Sequence, residues 1–154
     1  MRVLISACLL GENCKYSGGN NRNETVLAWL REQGHEAVPV CPEQLGGLPT
    51  PRTPAEIVNG VVTDRDGRNV DAEFRRGAAL ALEAARREGA ALAILQPRSP
   101  SCGVKQVYDG TFSGRRVDGQ GIFAQLLWEN GFRLLEPEDL FREILPEEPR
   151  RLEK

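Results

Sequence analysis

The chain has 154 residues, 40% hydrophobic and 27% charged, with 20 Lys and Arg against 22 Asp and Glu for a formal net charge of −2. That size fits one domain with a core of ordinary extent, and it argues against a chain disordered throughout. The near-neutral balance argues against a general phosphate binder, while leaving room for a local basic patch.

No apolar run reaches the roughly 18 residues needed to span a bilayer, so no membrane partner is expected. The opening stretch MRVLISACLLGENC has one arginine, a short apolar segment and no small-residue cleavage pattern. It reads as a first buried strand over residues 2–7, and the expected location is the cytoplasm, where thiols stay reduced. GENCKYSGGNNRN (11–23) is a polar loop. ETVLAWLREQG is helical, with Val26, Leu27, Trp29 and Leu30 on an apolar face and Gly34 as the stop. EAVPV (36–40) reads as a second strand in which Pro39 cannot donate to a ladder.

CPEQLGGLPTPRTPAE (41–56) reads as a long loop, and IVNGVVTDRDGRNV as a hairpin or extended excursion around Asp66-Gly67. Asp71 is expected to cap the next helix, which carries Phe74, Ala78, Leu82 and Ala85 at helical spacing and ends at Gly89. ALAILQ (91–96) is the third strand, and residues 97 to about 118 read as loop. GQGIFAQLLWENG is helical, FRLLEP a fourth strand and PEDLFREIL a last helix opened by Pro137. The expected organisation is one α/β domain over residues 1–145 and a charged tail over 146–154.

Strands alternating with helices predict a three-layer αβα sandwich around a mostly parallel, Rossmann-like sheet of about four to five strands. Ligands of such sheets bind beyond the carboxyl ends of the strands. Three of the four cysteines fall at those ends: Cys8 after the first strand, Cys41 after the second and Cys102 in the turn beyond the third. In a reducing compartment, converging thiolates suit zinc or an iron–sulfur cluster, whereas each cysteine alone reads equally well as a small buried hydrophobe. No C-x-x-C is present, so the spacing is no metal fingerprint.

The single histidine, His35, lies in a helix-to-strand turn and reads as a surface residue, which leaves proton transfer to carboxylates, serines or tyrosine. Glu43 lies two residues after Cys41, and Ser99 and Ser101 flank Pro100 just before Cys102. The bland reading of both serines, and of Asp109 in YDGTF, is turn chemistry.

SACLLGENCKYSGG, VCPEQLGGLPTPRTPAEI, RSPSCG, VYDGTFSG and GQGIFAQLLWENGF, in that order, resemble the bacterial thiouracil desulfidase family, formerly a family of unknown function. The likeness runs from about residue 2 to residue 136. It implies a 4Fe-4S cluster held by Cys8, Cys41 and Cys102, with the fourth iron open to the sulfur of the substrate. It also implies catalytic roles for Glu43 and Ser99, with Ser101 counted beside them, and it assigns no ligand role to Cys14. Where the family has a lysine-like position before SPSCG, this chain has Gln96 and Arg98. The implied reaction is a non-redox conversion of C=S to C=O on a small thiolated pyrimidine, either a 2-thiouracil-like base or thiouridine in RNA such as thiolated tRNA. Two other readings stay open on the residues alone. One is a non-catalytic zinc-binding module; the other is a small nucleotide-binding domain with structural cysteines, though no G-x-G-x-x-G or Walker pattern occurs. The sequence sets no oligomeric state.

Overall fold

RVLIS forms β1 (Arg2–Ser6), buried along its last four residues as a central parallel strand requires. The structure, a computed structural model, describes residues 1–140. A 3₁₀ turn over Ala7–Leu10 follows β1. Then come α1 (Glu24–Gln33), capped by the Asn23 side chain on the Val26 N–H, and β2 (Glu36–Val40). The short α2 (Pro42–Leu45) leads to a hairpin of β3 (Ala55–Val58) and β4 (Val61–Asp64). Next are α3 (Asp71–Arg87) and β5 (Leu92–Ile94), then a second hairpin of β6 (Gln106–Tyr108) and β7 (Arg116–Asp118). The elements α4 (Ile122–Glu129), β8 (Arg133–Leu135) and a 3₁₀ turn over Pro137–Asp139 complete the described chain.

The main sheet has four parallel strands in the order β2-β1-β5-β8. Side chains alternate across it. Leu4, Ala93 and Leu134 pack with Phe123 and Leu127 of α4 and the alanine face of α3, while Val3, Ile5, Ile94 and Leu135 pack with Val26, Trp29 and Leu30 of α1. The result is the expected three-layer α/β architecture. Pro39 is tolerated because β2 is an edge strand of this sheet, with a hydrogen-bonded neighbour on one side only. Among the described residues, no helix is long and apolar enough to cross a membrane.

Four local expectations need correction. The β3–β4 turn is Asn59-Gly60, both at positive φ (51° and 81°), as a tight hairpin turn demands. Asp66-Gly67 instead forms a separate turn after β4, folded around the Asp64 carboxylate. Asp71 is the first residue of α3 and not its cap; its carboxylate accepts the Val62 N–H at 2.9 Å and pairs with Arg75. Both supposed long loops contain structure, α2 in one and the β6–β7 hairpin in the other. The expected last helix opens as 3₁₀ at Pro137; its remainder and the expected tail lie outside the described residues.

Candidate functional site

The carboxyl ends of β2, β1 and β5 are adjacent, so the segments that follow them share one rim. Cys8 lies in the turn directly after β1, and Cys41 follows β2 as the residue that opens α2. Cys102 reaches the same rim through the turn after β5. These segments line a cavity of about 850 Å³ that contains Cys8, Cys14, Cys41 and Cys102 together with Glu43 and Ser101.

Close backbone packing fixes each segment. Gly46 and Gly77 let α2 dock on α3, because a Cβ at Gly77 would overlap the Pro42 carbonyl oxygen and one at Gly46 that of Glu73. This contact places Cys41 and Glu43. The RSPSCG turn is held by the first turn of α4, whose otherwise unpaired N–H groups find partners in it. Ile122 donates to the Pro100 carbonyl at 2.8 Å, and Phe123 and Ala124 donate to that of Ser101 at 2.8 and 3.0 Å. From the other side, the buried Glu136 accepts the N–H groups of Val104 and Lys105.

Cys14 is the main departure from the sequence reading. It is 4% exposed and packs with Ala7, Cys8 and Cys41. Hydrogen bonding with its thiol lowers the pKa of Cys8 and of Cys41 and drives that of Cys14 far up, and the Cys41 thiol also lies 3.8 Å from the Cys14 carbonyl. Cys41 is thereby brought down to about 7, first by Cys14, with the Gln44 backbone and the Arg52 charge adding to the effect. Cys8 is also helped by the Asn21 side-chain amide, 3.5 Å from its sulfur. Burial pushes Cys102 up to about 12, against the opposing effect of the Ser6 hydroxyl. The Ser101 hydroxyl is 3.7 Å from the Cys102 sulfur.

Glu43, Ser99 and Ser101 form one chain. Ser99 Oγ accepts the backbone N–H groups of Ser101 (3.1 Å) and Cys102 (3.0 Å), so both its lone pairs are in use. Its own proton is left for Ser101 Oγ at 3.0 Å, and Ser101 in turn donates to Glu43 Oε2 at 2.8 Å. The other carboxylate oxygen, Oε1, takes Arg52 Nε at 2.8 Å and Nη2 at 2.7 Å.

The remaining candidates fall outside this group. Asp109 is a turn former, its Oδ1 accepting the Thr111 N–H and hydroxyl. His35 precedes β2 at the opposite end of the sheet, against the Trp29 ring at 4.6 Å. Arg52, Ser6, Asn21 and the placement of Cys14 went unseen in the sequence. Only Cys14 carried a signal there, as a fourth cysteine six residues beyond the first.

A three-layer α/β fold with cysteines, a carboxylate and a serine pair gathered at the carboxyl end of a parallel sheet defines an enzyme-like thiol-rich site. The chain belongs to the 2-thiouracil desulfurase family, an enzyme family whose sequence profile matches residues 3–139. It is similar to the uncharacterized protein YbbK of Bacillus subtilis (strain 168), with 38% identity over 148 residues, covering 90% of this chain and 97% of that one. It is also similar to a solved structure of the 4Fe-4S-dependent thiouracil desulfidase TudS, with a TM-score of 0.86 and 38% identity, over 94% of this chain and 96% of that one. The family expected from the motifs and the fold expected from the alternation of strands and helices are both borne out.

Proposed function

We propose that the protein is a 4Fe-4S-dependent desulfidase that replaces the thiocarbonyl sulfur of a small thiolated pyrimidine with oxygen. The observation that carries this reading is the convergence of Cys8, Cys41 and Cys102 from three neighbouring strand ends on the cavity that also holds the Glu43–Ser101 pair. The family membership and the likeness to TudS support it.

The donor set fits the cofactor. Thiolates are the protein ligands that iron–sulfur clusters take, and the hydroxyls and amide beside these sulfurs supply the surrounding hydrogen bonds that tune such centres. Among the described residues, no three His, Cys, Asp or Glu side chains group as they would around a single metal ion. Cys8, Cys41 and Cys102 would hold the cluster. When bound, it supplies an iron without a protein ligand, a Lewis acid for a thiocarbonyl sulfur.

The protein's own groups do the rest. Water adds to the thiocarbonyl carbon, its oxygen becomes the carbonyl oxygen, and sulfur departs as sulfide. Glu43 takes a proton from the attacking water as general base. Ser101, itself oriented by Ser99, fixes the carboxylate from one side. The cavity volume lies within the roughly 300–1,000 Å³ of small-molecule sites. With the net charge of −2, it supports a small thiolated pyrimidine over thiolated tRNA as substrate.

The test is turnover by the anaerobically reconstituted protein of 2-thiouracil, compared with thiolated tRNA. Uracil and sulfide released from the free base support the reading. Cluster-loaded protein that turns over neither substrate overturns it.

A further inference from the structure

The cavity wall contains a buried cation that the proposed reaction does not use. Arg52 comes from the PTPRTP loop, and its side chain is only 8% exposed. Its Nε and Nη2 both face Glu43 Oε1, and Nη2 also donates to the Cys14 carbonyl at 2.9 Å. Its Nη1 donates to the Pro49 carbonyl at 3.2 Å and to Thr50 Oγ1 at 2.9 Å. Its backbone N–H donates to the Tyr16 carbonyl at 2.7 Å. One residue thus ties together three segments: the loop bearing Cys14, the start of α2 bearing Glu43, and its own turn.

We propose that Arg52 is a positioning residue of the desulfidation site, a clamp that sets the Glu43 carboxylate and holds the Cys14 loop against it. Held by Arg52 through Oε1, Glu43 has only Oε2 left to meet Ser101 and an attacking water. The same guanidinium plane reaches the Cys14 carbonyl, so the carboxylate and the thiol-bearing loop move as one unit. A planar fork of five N–H donors can satisfy these diverging acceptors together; an ammonium group is a compact point charge and cannot span them. The catalytic part of this inference rests on the function proposed above, whereas the clamp itself does not.

The test uses Arg52→Lys and Arg52→Ala in the full chain, with two separate readouts. In the anaerobically reconstituted proteins, kcat for 2-thiouracil falls about 10²-fold, the order expected when a reacting group is misplaced by about an ångström. KM stays within about threefold and iron per chain is unchanged, because Arg52 touches neither substrate nor metal in this reading. Guanidinium ion added to the Arg52→Ala protein restores kcat several-fold by refilling the fork. In the metal-free proteins, alkylation of Cys14 by iodoacetamide, mapped by mass spectrometry, accelerates several-fold in both variants while that of Cys102 does not, since access governs thiol reactivity. A kcat for Arg52→Lys within about threefold of the parent, or an unchanged Cys14 alkylation rate, overturns the proposal. If Arg52→Ala does not fold, Arg52→Lys decides on both readouts. If the parent protein turns over no 2-thiouracil, the functional reading fails by itself. The alkylation comparison then supports the clamp if Cys14 labelling rises and overturns it if it does not.

Discussion

Ser101 Oγ donates to Glu43 Oε2 across 2.8 Å, joining the RSPSCG turn to α2 through two residues 58 apart in the chain. The contact gives the two serines different work. Ser101 touches the carboxylate, whereas Ser99 reaches it only through Ser101 and otherwise satisfies two backbone N–H groups of its own turn. Glu43→Gln and Ser101→Ala should therefore lower turnover per loaded cluster by about 10²–10⁴, the range of a lost acid–base group or its partner. Ser99→Ala should also lower it, but together with stability, by about 1–3 kcal/mol, because buried donors lose their acceptor. Denaturant unfolding alongside turnover separates the two. A Ser99→Ala protein with unchanged stability would show that Ser99 is not needed by its turn.

The parallel sheet and its two helical layers were legible because β1, β5, α1 and α4 carry strong periodic or continuous apolar patterns. The rim was legible by topology, since a residue just past a strand has few other places to go. What stayed hidden depended on contacts distant in sequence. Nothing in PTPRTP announces that Arg52 is buried, because its partners Glu43 and Cys14 lie 9 and 38 residues away. The α2 helix is four residues long, too short for periodicity, and owes its place to Gly77 on another helix. The β6–β7 strands are three residues each and give no alternation to read. The misplaced hairpin turn is different: Asn59-Gly60 between IV and VV was a strong signal, outweighed by Asp66-Gly67 nearby.

The cysteines make a sharper prediction now that Cys14 is in the cluster of thiols. Cys8→Ala, Cys41→Ala and Cys102→Ala should each abolish iron loading, because each removes one of the three ligands proposed above. Cys14→Ala should load iron, since Cys8, Cys41 and Cys102 all remain in that variant. Iron and acid-labile sulfide are assayed per chain after anaerobic reconstitution. Loss of loading in Cys14→Ala with full loading in Cys41→Ala would transfer the ligand role from the half-buried Cys41 to Cys14.

Asp64 predicts a pH dependence of stability. It is 4% exposed, and its carboxylate accepts the N–H groups of Asp66 and Arg68 at 2.9 Å each and the Arg68 Nε at 3.1 Å. These contacts, the Arg68 backbone N–H foremost, hold it below its ordinary value of 3.8. A carboxyl lowered on folding stabilises the fold above its unfolded pKa, and that contribution is lost as pH falls through the folded one. Asp64→Asn should lower the thermal midpoint at pH 7 and lose less than the parent on acidification. The two midpoints should converge below the ordinary carboxylate range. A difference that is the same at pH 7 and at pH 3 would assign the effect to packing and not to charge.

The last prediction concerns Gly77, which lies in α3 and touches no reacting group. Glycine in a helix interior is less favourable than alanine by about 1 kcal/mol, so Gly77→Ala would stabilise an isolated α3. Here the added methyl would overlap the Pro42 carbonyl and crowd the Gly46 N–H, both backbone atoms of the neighbouring segment that no side-chain rotation can move aside. Overpacking of this kind costs about 1–3 kcal/mol or more and exceeds the gain in helix propensity. The strain is relieved by moving α2 away from α3, and α2 carries Cys41 at its start and Glu43 in its first turn. Gly77→Ala should therefore lower stability, iron loading and turnover together. The control Glu83→Ala, an exposed position of the same helix, should leave loading and turnover unchanged. Chemical unfolding, iron per chain and 2-thiouracil turnover are measured on both variants. A Gly77→Ala protein that is more stable than the parent and fully loaded would show that the α2–α3 contact does not set the position of Cys41 and Glu43.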